Sequence, residues 1–169
     1  MSEGPRIVVL CTGNAARSVM TGALLEEARP DLWVNTAGTH VVEGQPVSWR
    51  TRQGLGAVGV NADDHRSCQL RPDLLLHADL VLAMASEHVA WIRRLHPEVA
   101  PRTGTIRRLA RDLPDDGRPL PERLREIDLG EVELEPWEDV IDPAGGEVED
   151  YIACARELRE LVTELAARI

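Results

Sequence analysis

Phenylalanine and lysine are absent from the 169 residues, and tyrosine occurs once. The core must then be built from Leu, Val, Ile and the four tryptophans. All 19 basic residues are arginine, which we read as a compositional bias rather than a mechanism. Without lysine the chain cannot complete a Walker loop, which ends in Gly-Lys-Ser/Thr. No apolar run approaches the roughly 20 residues needed to span a bilayer. The Ile7–Leu10 run is far too short for a secretory signal. Cysteine is scarce too: positions 11, 68 and 154 form no close pair and no metal-ligand spacing, and an odd count suits a reducing compartment. A soluble, intracellular, cytoplasmic protein with no metal and no organic cofactor is the expectation. Positive charge is also short. The net charge of −10 argues against nucleic acid or a membrane surface as partner, and any anion site must be locally positive. With 43% hydrophobic and 28% charged residues, the chain reads as one globular domain spanning 1–169.

What is present alternates. Arg6–Leu10, Leu32–Ala37, Asp79–Met84 and, more weakly, Thr105–Leu109 read as strands. Ser18–Arg29, Val47–Val58, Glu87–Leu95 and Glu147–Arg168 read as helices, with shorter ones at Leu70–Leu76 and Glu122–Ile127. In the last long helix Val148, Ile152, Ala155, Leu158, Val162, Leu165 and Ile169 recur every three or four residues and form one apolar stripe. The stretch from Pro114 to Pro143, rich in Pro, Asp and Glu, reads as surface loop, mobile in part. Alternating strands and helices predict an α/β, three-layer doubly wound domain: a parallel sheet covered on both faces, with ligands at the carboxyl ends of its strands.

At the end of the first strand stands Cys11-Thr12-Gly13-Asn14-Ala15-Ala16-Arg17-Ser18. An apolar strand stops at a cysteine, small residues follow, and a helix begins. Small side chains let consecutive backbone N–H groups turn inward as a nest for an anion at a helix N-terminus. Gly13 and Asn14 tolerate the positive φ of such a curl. Arg17 adds a planar fork that grips two phosphate oxygens. Cys11 would lie at the bottom of this bowl, where donors and positive charge favour the nucleophilic thiolate. A cysteine ending a buried strand is often only core filler. The combination with Gly-Asn and Arg-Ser in a helix-opening loop favours chemistry. Asp142, held by the following Pro143, is a carboxyl that could protonate a leaving group. Glu138 and Asp139 read as solvated, Trp49, Trp91 and Trp137 as packing, and His40, His77, His88 and His96 carry no assigned role. Cys68 and Cys154 read as ordinary core or surface thiols.

The loop, a cysteine followed by five residues and Arg-Ser, resembles the phosphate-binding loop of the low-molecular-weight protein tyrosine phosphatases. Thr36-Ala37-Gly38-Thr39 is similar to that family's Ser-Ala-Gly-Thr segment at the end of the second strand, and Asp142-Pro143 to its general-acid loop. The resemblance implies a four-stranded parallel sheet of the phosphatase-I type with the first strand central. It implies Cys11, Arg17 and Asp142 as catalytic residues, and Thr12, Gly13, Asn14, Ala15, Ala16, Arg17 and Ser18 as the phosphate-binding loop. Asn14 and Ser18 would hold the loop, Ser18 also donating to the cysteine sulfur, and His65 would brace it from behind. The implied activity is hydrolysis of phosphotyrosine in proteins, or of a related phosphomonoester or phosphoramidate, through a phosphocysteine. Partners are then a phosphorylated protein or small phosphoester, with phosphate, vanadate or arsenate as oxyanion ligands. An arsenate reductase using an external thiol and a non-catalytic phosphate-binding module are the alternatives. The chain departs from the family's tyrosine-specific members: Ala144-Gly145-Gly146 follow Asp-Pro in place of aromatics, and Ala15 stands where those members place a bulkier aliphatic residue. The Asp-Pro-x-Gly-Gly form resembles bacterial members that include protein arginine phosphatases, which carry threonine at the Ala15 position. A wide pocket follows, unless His40–Val42 or Trp137 closes it.

Overall fold

The computed structural model describes residues 4–169. Its four strands are β1 (Arg6–Cys11), β2 (Trp33–Gly38), β3 (Leu80–Ala83) and β4 (Thr103–Thr105), all parallel, in the order β2-β1-β3-β4. β1 therefore lies inside the sheet and is buried from Ile7 to Cys11. Its side chains alternate between faces as a strand requires. Ile7, Val9 and Cys11 enter one core cluster, and Val8 and Leu10 enter a second. Helices α1 (Arg17–Ala28), α5 (Ile106–Asp112) and α7 (Val148–Ala166) supply Met20, Leu24, Leu109, Leu158 and Val162 to the first cluster. Helices α3 (Pro72–Leu76) and α4 (Ser86–Leu95) supply Leu75 and Ile92 to the second. Helices α2 (Trp49–Ala57) and α6 (Leu120–Glu126) complete the set. Helices on both faces of a parallel sheet make the doubly wound α/β domain that the alternation predicts. Among the described residues, no helix is long and apolar enough to cross a membrane.

Three expectations fail for physical reasons. The fourth strand ends at Thr105, where the Thr105 side chain accepts the Arg108 N–H and caps α5. Ile106 and Leu109, read above as strand, are buried at helical spacing with Ala110 and Leu113 beyond them. No tryptophan is fully buried, and only Trp91 packs against a core cluster. Trp33 and Trp49 are more than half exposed, with Arg6 and Arg50 stacked on them, and aliphatic side chains with Tyr151 fill the interior. The acidic stretch 114–143 is anchored rather than loose. Leu120, Leu124, Leu129 and Val140 are buried in it.

Candidate active site

Cys11 ends the central strand at the sheet's carboxyl edge, and the loop from Thr12 to Ala16 leads straight into α1. Ala16 occupies the N-cap position and has no side-chain acceptor for the first turn of α1. The opening N–H groups of a helix have no intrahelical partner, and here no cap consumes them, so they remain for an anion.

Asn14 organises the loop. Its φ of +51° is the positive value its residue type tolerates, whereas Gly13 does without one. An amide can give two hydrogen bonds and accept at its oxygen, and this one does all of it. Nδ2 donates to Ser18 Oγ at 2.9 Å and to Thr36 Oγ1 at 3.0 Å, and Oδ1 accepts the Cys68 N–H at 2.9 Å. The Asn14 carbonyl accepts from His65 Nε2 at 2.9 Å, which is the brace expected of His65. Because Ser18 Oγ already accepts from Asn14, its own hydrogen is free for Cys11 Sγ, 3.0 Å away. A donor on sulfur stabilises a thiolate. Gly38 completes the floor, paired with Cys11 across β1 and β2. A Cβ there would fall on the Thr12 carbonyl and come within 2.9 Å of Asn14 N, so only glycine lets the second strand approach the loop.

Arg17 is 4% exposed and reaches across to the C-terminal loop. It donates to the Val140 carbonyl at 3.0 Å, and a second nitrogen is 3.4 Å from Asp142 Oδ2. Two of its five donors are so engaged, and the rest of the fork stays available to an oxyanion. Asp142 has a side chain 46% exposed, and its Oδ1 accepts the Ala144 N–H at 3.1 Å. Cys11, Arg17, Ser18 and Asp142, scattered over 132 residues of sequence, thus converge at one edge of the sheet. Cys154 shares the core cluster of Cys11, but burial pushes its thiol up to about 11, the nearby Arg17 notwithstanding, so it stays protonated at neutral pH.

Sequence reasoning missed three residues beside this centre. Glu138, read as solvated, is fully buried. It accepts from Arg108 Nε at 2.8 Å, from Thr105 Oγ1 at 3.0 Å and from the Glu135 N–H at 2.7 Å. Burial alone would raise its pKa, but the Arg108 guanidinium and these donors outweigh it and the net direction is down. Asp139 accepts from both the backbone N–H and the hydroxyl of Ser86, tying the start of α4 to the stem of the loop that carries Asp142. His88, given no role above, is buried against Thr12. Trp137 gives its indole N–H to Glu135 and has the guanidinium groups of Arg108 and Arg111 against its ring.

A Cys-(five residues)-Arg loop on the central strand, faced by a carboxylate, defines a phosphatase that works through a cysteine. The chain belongs to the family described as low molecular weight phosphotyrosine protein phosphatase, whose model matches residues 6–117. It is 33% identical to a protein-arginine-phosphatase from Geobacillus stearothermophilus over 97% of this chain and 95% of that one. A solved structure of an arginine phosphatase from the same organism covers 96% of this chain and 91% of its own, with 34% identity and a TM-score of 0.77. A low molecular weight protein tyrosine phosphatase from T. tengcongensis covers 98% and 100%, with 30% identity and a TM-score of 0.78. The chain is a cysteine-dependent phosphatase, a hydrolase.

Proposed function

We propose that Cys11 is the nucleophile, Arg17 the phosphoryl clamp and Asp142 the general acid, in one domain spanning 1–169 that acts in the cytoplasm on phosphorylated side chains of proteins. The Cys11 thiolate attacks phosphorus in line, forming the S–P bond as the bond to the leaving atom breaks. The amides of Thr12 to Ser18 and the Arg17 fork stabilise charge on the equatorial oxygens. Asp142 gives its proton to the leaving atom, then takes one from the water that hydrolyses the phosphocysteine. A dianionic phosphoryl group would draw the guanidinium of Arg17 inward and release Asp142 Oδ2 for the leaving atom.

The substrate group is read from the mouth. Ala144 and Gly145 are exposed, and Ile141 is 81% exposed. A cavity of about 520 Å³ beside them is lined by Ile141, Asp142, Ala144, Gly146, Asp150 and Cys154 among others. The exposed lip suits phosphotyrosine without a tight slot and leaves room for a phosphorylated guanidinium; the cavity itself lies between the lip and α7 and no residue of loop 11–18 lines it. Relatives of both specificities match this chain at similar identity. The observation that carries the proposal is the Asn14–Ser18–Cys11 chain of hydrogen bonds facing Arg17 and Asp142. Cys11→Ser tests it. Turnover of an aryl phosphate should vanish while inorganic phosphate still binds, because the amides and Arg17 survive. Hydrolysis persisting above a few per cent would remove Cys11 from the role.

A further inference from the structure

His88 is 1% exposed and lies 76 residues from the loop it touches. Its Nδ1 is 3.1 Å from the Ala85 backbone nitrogen, whose N–H can only donate. Nδ1 is therefore unprotonated, and the ring proton sits on Nε2. That nitrogen is 2.9 Å from Thr12 Oγ1, so the direction of the second bond is fixed as well: His88 donates and Thr12 accepts. With a lone pair of its oxygen occupied from behind, the Thr12 hydroxyl must send its hydrogen elsewhere. Thr12 immediately follows the nucleophile, and its side chain is only half-buried.

We propose that His88 is a positioning residue that fixes the Thr12 hydroxyl as a side-chain donor to the oxyanion held by loop 12–18. The proposal rests on the reading of that loop as the phosphoryl site. The backbone amides of the loop are aimed by the fold, but a threonine hydroxyl rotates freely and can equally present a lone pair to the anion. A neutral imidazole of fixed tautomer removes that freedom. The ring keeps this form at neutral pH: burial first, and then the charge of Arg17, bring its pKa to about 4 against the opposing pull of Asp139 and Asp142. Glu87, 3.6 Å from Nε2, is beyond hydrogen-bond distance.

The competing role is purely structural, since the Ala85 bond caps α4. Two amide variants separate the roles. Gln places an N–H donor near the Nε2 position and restores the Thr12 bond. Asn places an acceptor near the Nδ1 position and restores the Ala85 bond alone. Thr12→Val, close to isosteric, removes the hydroxyl itself. The measurements are kcat/KM on an aryl phosphate and competitive inhibition by inorganic phosphate. Thr12→Val should lower kcat/KM by roughly 10- to 100-fold, the range for a hydrogen bond to a charged group, and weaken phosphate inhibition. His88→Asn should resemble it, His88→Gln should recover most of the loss, and adding His88→Asn to Thr12→Val should cost less than about twofold more. A Thr12→Val enzyme within twofold of the parent overturns the proposal. So does a His88→Asn enzyme as good as His88→Gln, or losses that multiply in the double variant. Each of those results with Cys11-dependent turnover intact refutes the assignment of His88 alone; loss of Cys11 dependence would refute the reading of the loop.

Discussion

The floor and the mouth of this site are built in opposite ways. At the floor, Asn14 uses both amide hydrogens, its side-chain oxygen and its carbonyl, on partners from α1, β2 and the 65–68 segment. At the mouth, the stem of the Asp142 loop is fastened by Glu138, Asp139 and Val140, but the lip from Ile141 to Gly146 is exposed apart from Pro143 and Gly146. The difference separates two tasks. Binding a phosphoryl group and stabilising its transition state require donors that do not move, because reorganisation at the moment of reaction raises the barrier. Accepting a leaving group requires room, and only one carboxyl has to be placed.

The largest effect at the mouth should come from Asp142→Ala. We expect turnover to fall by roughly 10²–10⁴, the scale of a positioned general acid. The loss should be greater for alkyl phosphates than for nitrophenyl phosphate, whose leaving group needs less protonation. Equal losses for both would mean that Asp142 shapes the lip and gives no proton. The stem comes next. Glu138→Ala leaves Arg108, 5% exposed, without its closest carboxylate, and breaking such a buried pair costs about 3–5 kcal/mol. Urea unfolding reads this directly. Replacing both partners by apolar residues should cost far less, because no buried charge is then stranded. If the stem places the lip, Glu138→Ala should also reduce turnover of alkyl phosphates before it weakens phosphate inhibition.

The same division explains what could be read before folding. The loop of the floor is local, since Cys11 to Ser18 is one uninterrupted motif, whereas the residues that hold it, Thr36, His65 and His88, come from 22 to 76 residues away. Residue types and spacing pointed to an anion loop there, and the family resemblance supplied the loop-holding roles and the His65 brace. Glu138 and His88 were illegible because their meaning depends on partners 30 and 76 residues away. A glutamate in an acidic, proline-rich stretch looks solvated until the fold delivers an arginine to it. A histidine on a helix looks idle until its two ring nitrogens are seen to have opposite duties. The tryptophans misled for a different reason. Large rings suggest a core, but the aliphatic side chains of β1, β3 and α7 already fill the interior; Trp33, Trp49 and Trp137 stack with arginines outside it, and only Trp91 packs against a core cluster.

His88 belongs to the floor, and its burial makes the floor sensitive to acid. Its pKa is about 4 in the folded protein against 6.5 for a free imidazole, so between those values the unfolded chain binds more protons. Stability therefore rises with pH across this window. The contribution should be complete above about pH 6.5 and decline progressively as pH falls toward 4, amounting to about 3 kcal/mol in all. Urea midpoints between pH 7 and pH 4.5 should fall more steeply in the parent protein than in His88→Gln, which has no titrating ring. Parallel curves would show that the imidazole keeps an ordinary pKa in the native state, so that mild acid would protonate Nδ1 and cost it the Ala85 N–H, while Nε2 would still donate to Thr12.

The smallest effect probes the lip. Ala144 stands two residues beyond Asp142, exposed, beside the cavity lined by Ile141 and Asp142. An aromatic ring at this position would give a phenyl leaving group a face to pack on. One such contact is worth about 0.5–1.5 kcal/mol beyond area burial, so Ala144→Tyr should raise kcat/KM for phosphotyrosine by up to about tenfold. A small alkyl phosphate has no ring to stack, and its kcat/KM should stay within a factor of two. The contrast between the two substrates is the informative quantity. A gain confined to phosphotyrosine identifies the open lip as what limits selectivity for that substrate. Gains on both would mean that the new ring excludes water or rigidifies the lip, strengthening Asp142 as an acid whatever the leaving group. No gain on either would mean that a side chain such as Ile141 already closes the slot, and the mouth would then be as built as the floor.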